Sequence, residues 1–344
     1  MRDLAAWASR QDSTDLGPDT DAVADYYGDD RLRLRYTCCH PALPLPGRVA
    51  LTLKIVAGLS TRQIARAFLV SEATMSQRLL RAKSKITNAK IAFQVPAPHR
   101  LAERTAGVLS VIYLVFNEGY TVAEDPASRD GLAAEALRLA ALVARLLPED
   151  DEARGLEALV LLQHARRAAR TDPAGELVSM EDQDRSRWDQ TMVAAGLASL
   201  RAARASVRRP GFYRLQAEIA AVHATAPDAA NTDWAAIVTS YDALRQLRPS
   251  PVITLNRAVA LGFRDGPAAG LSALAEVESA GELAGYHLLP AVRADLLRRA
   301  GRRDEAVEAY RAAIAATPSA AERRFLERRV AEVLTAGRSG PAAS

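Results

Sequence analysis

An all-α fold is predicted for this chain, and three observations carry the prediction. Ala, Leu, Arg and Glu, all good helix formers, dominate the composition, while aromatic residues reach only 5%. No stretch shows the sustained Val/Ile/Thr alternation that strands need. From about residue 101 onward, helical patterns alternate with short breaks of Gly, Pro and Asp. The apolar and charged fractions, 49% and 25%, are those of an ordinary globular protein, and 344 residues leave room for more than one core.

Taken in order, residues 1–30 read as an acidic linker. They hold eight Asp against two Arg, a net charge of −6, and Gly17-Pro18 and Gly28 break any helix. In RLRLRYTCCHPALPLPGR, Pro41, Pro44 and Pro46 bracket short apolar pieces, and a helix is expected from about Gly47 to Ala57. The next stretch, GLSTRQIARAFLVSEATMSQRLLRAKSKI (58–86), contains two short helix signals and a tight join. Ser60 and Gln63 have the spacing of a capping box, which satisfies free N–H groups at a helix start. Ile64, Ala65 and Phe68 form the inward face, and the small Ala65 lets the next helix approach closely. Ser71 is the expected cap of the second helix, with Ala73, Met75, Leu79, Ala82 and Ile86 inward. Glu72, Thr74, Ser76, Gln77, Arg78, Arg81, Lys83 and Lys85 lie on the other face.

This is a helix-turn-helix whose second helix is polar and increasingly basic. Residues 48–104 hold eleven Lys or Arg against Glu72 and Glu103, a net of +9, which points to an anion-binding surface. Arg78, Arg81, Lys83 and Lys85 are the candidate phosphate contacts. Glu72, Thr74, Ser76 and Gln77, near the helix start, are the candidate base readers. Thr61, Arg62 and Ser71, at the two helix starts, complete the candidate DNA-binding set. The alternative is a basic amphipathic helix pair whose charges are merely solvated. The region 31–92 is taken as one domain, closed by the QVPAPHR turn at 94–100.

Downstream helices are expected over 101–116, 131–147, 152–170, 188–206, 212–225, 233–247, 252–263, 268–279, 285–300, 304–316 and 319–335. A series of helix pairs suggests a solenoid, and a period is present. Gly301, Ala306, Tyr310, Ala313 and Pro318 fall at the small, aromatic and proline positions of a tetratricopeptide repeat, with Ala294 and Leu297 fitting its first helix. Tyr241 and Pro249 stand 69 residues before Tyr310 and Pro318, and Gly266 stands 35 before Gly301. A helical domain is therefore expected over 101–230, repeats of tetratricopeptide (TPR-like) type over 231–336, and a disordered tail over 337–344. An ordinary helical bundle is the competing reading.

No apolar run approaches the roughly 18 residues of a membrane span, and the N-terminus lacks the pattern of a signal peptide. The two cysteines, Cys38 and Cys39, are adjacent and make no disulfide framework, so the cytoplasm is the expected address. Side chains of adjacent cysteines rarely converge on a metal. Cys38-Cys39-His40 is therefore read as buried thiols, and His99, His164, His223 and His287 are scattered. Asn117-Glu118-Gly119-Tyr120 is read as a helix stop. DQDRSRWD (182–189) is read as a salt-bridged helix start with Trp188 in the core, a ligand or partner contact being the alternative for both segments. With no phosphate loop, paired-carboxylate site or Ser/His/Asp arrangement, no enzyme, cofactor or metal is expected.

The 58–86 stretch resembles region 4, the −35-reading domain, of bacterial extracytoplasmic-function (ECF) sigma factors. The shared pattern is the Gly-Leu-Ser turn, Ile-Ala in the first helix and Ser-x-x-Thr-Met-x-x-Arg-Leu-x-Arg-Ala-Lys in the second. HPALPLPGRVALTLKIVAG is similar to that domain's first helix, which in the family also touches RNA polymerase. CCHPAL, ARAFLV, FNEGY, DQDRSRWD and LAGYHLLPAVRADLLRR resemble the subgroup with a C-terminal helical-repeat extension. The resemblance implies promoter −35 DNA and RNA polymerase core as partners, with a further protein or an intramolecular partner for the repeats. Glu181, Asp182 and Asp184 are expected to attract the basic helix by complementary charge.

Two departures from the family pattern stand out. Leu69 occupies the turn position where Gly is usual. The chain is also expected to begin in the linker that follows the family's promoter-melting domain. The competing function is a repeat scaffold with a residual helix-turn-helix, not competent for initiation.

Overall fold

The computed structural model describes residues 37–38, 40, 42–56, 59–68, 70–91, 98–120 and 126–336. The acidic segment 1–30, Cys39, Leu69, most of the 94–100 turn and the tail 337–344 lie outside the described residues. So does the side chain of Gln63, and with it the capping box. Among the described residues the fold is all-α, with no strand and one isolated bridge between Thr171 and Leu177. The chain divides into two compact units, Met1–Ala153 and Arg154–Ser344.

In the first unit, α1 (Leu45–Leu51) starts on Pro44, and its second residue, Pro46, sits where a missing N–H costs nothing. The expected α-helix to Ala57 gives way to a π-turn over Thr52–Val56. The Thr52 hydroxyl donates to the Arg48 carbonyl at 2.9 Å, an i−4 bond of the kind that bends a helix. The helices α2 (Thr61–Ala67) and α3 (Glu72–Asn88) form the helix-turn-helix. They are followed by α4 (Pro98–Tyr120) and α5 (Pro126–Leu146). α1 and α2 pack on α3, α4 lies along α5, and α4 also reaches α1. Leu51, Leu53, Ile64, Met75, Ile112, Phe116 and Leu139 are fully buried in this unit.

The expected helix stop at Asn117–Gly119 does not occur, since α4 runs through Tyr120. A Cβ at Gly119 would stand 2.5 Å from the Ala133 backbone nitrogen, so this glycine lets α5 approach and does not end a helix.

In the second unit, the helix expected over 152–170 stops early. α6 (Asp151–Ala165), which begins just before the unit boundary, is followed by a 3₁₀ turn at Arg167–Ala169 and a stretch without α-helix to residue 189. There Asp184 accepts from the Ser186 N–H and caps a 3₁₀ turn at Arg185–Arg187. Trp188 is buried, and Asp189 caps α7 (Gln190–Arg204). The remaining helices are α8 (Phe212–Thr225), α9 (Trp234–Leu247), α10 (Pro251–Arg264), α11 (Pro267–Ala280), α12 (Leu288–Arg299), α13 (Arg303–Ala316) and α14 (Ala320–Ala336). Most pack on their neighbours in the chain, most closely α10 with α11 and α12 with α13. Ala294, Leu297, Ala306, Tyr310 and Ala313, the residues that set the period, share one buried cluster with Leu326 and Val333.

Two sets of arginines hold the non-helical stretch. From α14, Arg324 pairs with Glu176 at 2.7 Å, Arg328 donates to the Leu177 carbonyl at 2.5 Å, and Arg329 pairs with Asp182 at 2.9 Å. From α12, Arg299 pairs with Glu181 and with Asp295, the latter at 2.7 Å, and lies over the Phe263 ring at 4.0 Å. Burial pushes the Asp295 carboxyl up, but Arg299 and Arg298 together hold it below the ordinary range. Glu181, Asp182 and Asp184 are thus engaged within their own unit by Arg299, Arg329 and Ser186. Glu181 and Asp182 therefore have cationic partners within their own unit, while Asp184 is exposed and keeps its charge.

Two outcomes are expected. Gly119→Ala gains about 1 kcal/mol of helix propensity but forces a Cβ onto backbone that cannot step aside, so a net loss of about 1–3 kcal/mol is expected in urea unfolding. Gly131→Ala, with nothing within 4 Å of its Cβ, is expected to stabilise instead, by about 0.5–1 kcal/mol.

The second outcome concerns His223, whose pKa burial, then Arg166 and Arg185, push down from 6.5 to about 4. The unfolded chain takes up this proton first as pH falls. Stability is therefore full above pH 6.5 and is lost as pH falls toward 4, by up to about 3 kcal/mol. Burial pushes His164 in the same direction, against the Asp189 carboxylate. The urea midpoint should fall across this window, and less steeply in His223→Gln.

Candidate nucleic-acid interface

The helix α3 is built by its own sequence. Ser71, in an extended conformation, accepts from the Thr74 N–H at 3.1 Å and caps the helix as expected. Met75, Leu79 and Ala82 are buried, one stripe at 3.6 residues per turn, and pack on α1 and α2. Ile64 and Ala65 of α2 are buried beneath them, while Phe68 is half-buried. Two of the five inward positions differ from expectation: Ala73 is exposed and Ile86 is half-buried. Continued around the helix, the same period puts Ala73 nearly opposite Met75, so an apolar side chain was assigned to the wrong face.

Glu72, Thr74, Ser76, Gln77, Arg81, Lys83 and Lys85 are all exposed, as are Arg62 and Ser71, whereas Thr61 and Arg78 are half-buried. The geometry sorts this set. Ser71 and Thr74 hydroxyls bond each other at 2.8 Å, which commits both to the cap. Arg62 and Glu72 approach to 3.9 Å across the join, a well-solvated pair that adds little stability but lies where both helices meet. The Arg78 guanidinium stands over the Phe68 ring, 5.6 Å from its centroid, and so braces the join from its half-buried position. Among the described residues, Gln77, Arg81, Lys83 and Lys85 make no such contact with α2. Gln77 and Arg81 stand near the crest of the exposed face, with Ala73, Leu80 and Ser84 beside Gln77 on the side away from Arg81. Leu80 and Ser84 carry no charge and escape a reading based on charge, although helical angle alone places them there. Leu80, 65% exposed, is the largest apolar side chain on that crest.

Elsewhere in the unit, Cys38 is buried, and His40 accepts from the Ala42 N–H through Nδ1. No group of three potential metal ligands occurs among the described residues, and none of their helices is long and apolar enough to cross a membrane.

Comparison with known proteins agrees with this geometry. Residues 33–86 match the sequence profile of sigma-70, region 4, which spans α1, α2 and nearly all of α3. Residues 104–204 match a family of unknown function, DUF6596. A protein of Rhizobium meliloti (strain 1021), itself uncharacterized, is 49% identical over 306 residues, covering 88% of this chain and 71% of the relative. With that identity and coverage, the chain belongs to the family of the Rhizobium meliloti protein and is sigma-factor-like, its region 4 preceding a helical remainder.

Proposed function

We propose that this chain is a transcription regulator that reads promoter −35 DNA through α3 and engages RNA polymerase core through the region-4 domain. The observation that carries the reading is the exposed face of α3, on which Gln77, Arg81, Lys83 and Lys85 project from a helix that residues 33–86 match to region 4. The capped N-terminal turn points Gln77 at base edges, and the later cations meet phosphates. Arg78 supports the docking surface through Phe68, and Thr61, Arg62, Ser71, Glu72, Thr74 and Ser76 flank the entry of the helix.

The chain is assigned to the ECF sigma factors that carry a TPR-like extension, with limits at 31–92 for the DNA-reading domain, 101–230 for a helical domain and 231–336 for repeats. The buried period residues Ala306, Tyr310 and Ala313 support the repeat assignment. The extension regulates the DNA-reading domain or recruits a protein partner. A cytoplasmic address and the lack of catalysis belong to the same reading.

The test is DNA binding by the full chain. Affinity for duplex DNA is expected to fall linearly on a logarithmic salt scale, because each neutralised phosphate releases counterions. Affinity that stays flat between low and physiological salt overturns the reading. Gln77→Ala should relax sequence preference by about 1–3 kcal/mol. Arg81→Ala should weaken all sequences alike and lower the salt slope by about 1. Identical effects of the two changes on specific and random duplexes would remove the docking geometry.

A further inference from the structure

The second unit holds a half-open cavity of about 280 Å³, walled by the loop at 179–185, by Ala229 and Thr232, and by α8, α9, α10 and α12. It lies just below the roughly 300–1,000 Å³ typical of ligand pockets, a size for a small metabolite and not for a nucleotide or a peptide. One wall is apolar: Ile237, Val259 and Trp234, whose ring stacks on Phe263 at 4.0 Å and 9°.

The polar wall is unusual in what it leaves unpaired. Buried polar atoms almost always have a hydrogen-bond partner. Here Arg185 Nη2, Thr232 Oγ1 and His223 Nδ1 have none within the protein, although all three residues line the one cavity. Thr232 is only 7% exposed. Four charged side chains face the cavity: Glu181, Asp295, Arg185 and Arg299. Arg299 engages both carboxylates, so these three charges are spoken for. Arg185 donates through Nη1 to the carbonyls of His223 and Ala226 and lies 5.1 Å from the Trp188 ring centroid. No carboxylate of the described residues pairs with it; Asp228 acts only at longer range. His223 is neutral at physiological pH and adds no charge of either sign. The cavity therefore has one half-buried cation with no carboxylate paired to it, an unpaired hydroxyl, and an apolar wall.

We propose that the second unit binds a small organic monoanion, its carboxylate held by Arg185 and Thr232 and its apolar body laid against Ile237 and Val259. The site lies wholly within the second unit and its test needs no DNA, so it stands or falls separately from promoter reading.

The full chain is titrated with benzoate and, as the uncharged counterpart, benzyl alcohol, followed by saturation-transfer NMR and by the thermal midpoint. Benzoate should bind saturably in the millimolar range and benzyl alcohol about tenfold more weakly or less, the difference a charge-assisted hydrogen bond makes. Thr232→Val and Arg185→Gln should each weaken benzoate by about tenfold with little effect on benzyl alcohol. Val259→Trp, which fills the apolar wall from a half-buried position, should abolish both. If Arg185→Gln fails to fold for want of its two carbonyl contacts, Thr232→Val carries the test. No saturable benzoate binding, equal affinity for the two probes, or an unchanged affinity in Thr232→Val overturns the proposal.

Discussion

A single guanidinium organises the second unit. Arg299 lies on the Phe263 ring, Phe263 stacks on Trp234, and Trp234 meets His223 edge-on at 5.4 Å. Its two carboxylate partners come from its own helix and from the non-helical stretch, so one side chain ties α12, α10 and the loop together. A flat, delocalised cation can stack on a ring and fork onto carboxylates at once, which an ammonium cannot. Everything near the cavity follows from this arrangement. With Arg299 engaging Glu181 and Asp295, the charge on Arg185 is left over, and the stacked rings become a wall.

The first unit solves a different problem with less material. Two short helices, α1 and α2, bury one stripe of α3, with Met75, Leu79 and Ala82 at its centre, and this fixes the rest of the helix in solvent. Because the stripe is narrow, most of the circumference of α3 is free to carry cations without burying any of them. Arg78 sits at the margin. It adds a cation–π contact to the join while Arg81, Lys83 and Lys85 stay exposed, so the same basic run both steadies the motif and keeps its other charges in solvent.

What the sequence made legible, and what it did not, divides along physical lines. Local rules held where local energetics decide: the Ser71 cap and the Met75, Leu79 and Ala82 stripe of α3. They failed where a distant residue decides. Gly119 in Asn-Glu-Gly-Tyr has the composition of a stop, yet its role comes from Ala133 on the next helix. Glu181 and Asp182 looked like free acids because Arg299 and Arg329 are more than a hundred residues away. Ala73 was misplaced for a simpler reason, a small apolar residue being tolerated on either face. The cavity had no signature at all, since an unpaired Arg185 is recognised only after every other charge has found its partner.

The clasp of α14 on the loop has a consequence for how the protein is made. Its contacts join residues 147 to 151 positions apart in sequence. During synthesis the loop at 176–182 emerges long before the arginines that hold it. Helices α7 to α13 can pair as they appear, each with a neighbour already present, whereas the loop waits. Closure of such a long chain segment carries an entropy cost that the local helix pairs do not face. The loop can therefore be fastened only late, by Arg299 of α12 and then by the arginines of α14, the last helix closing on a segment translated among the first.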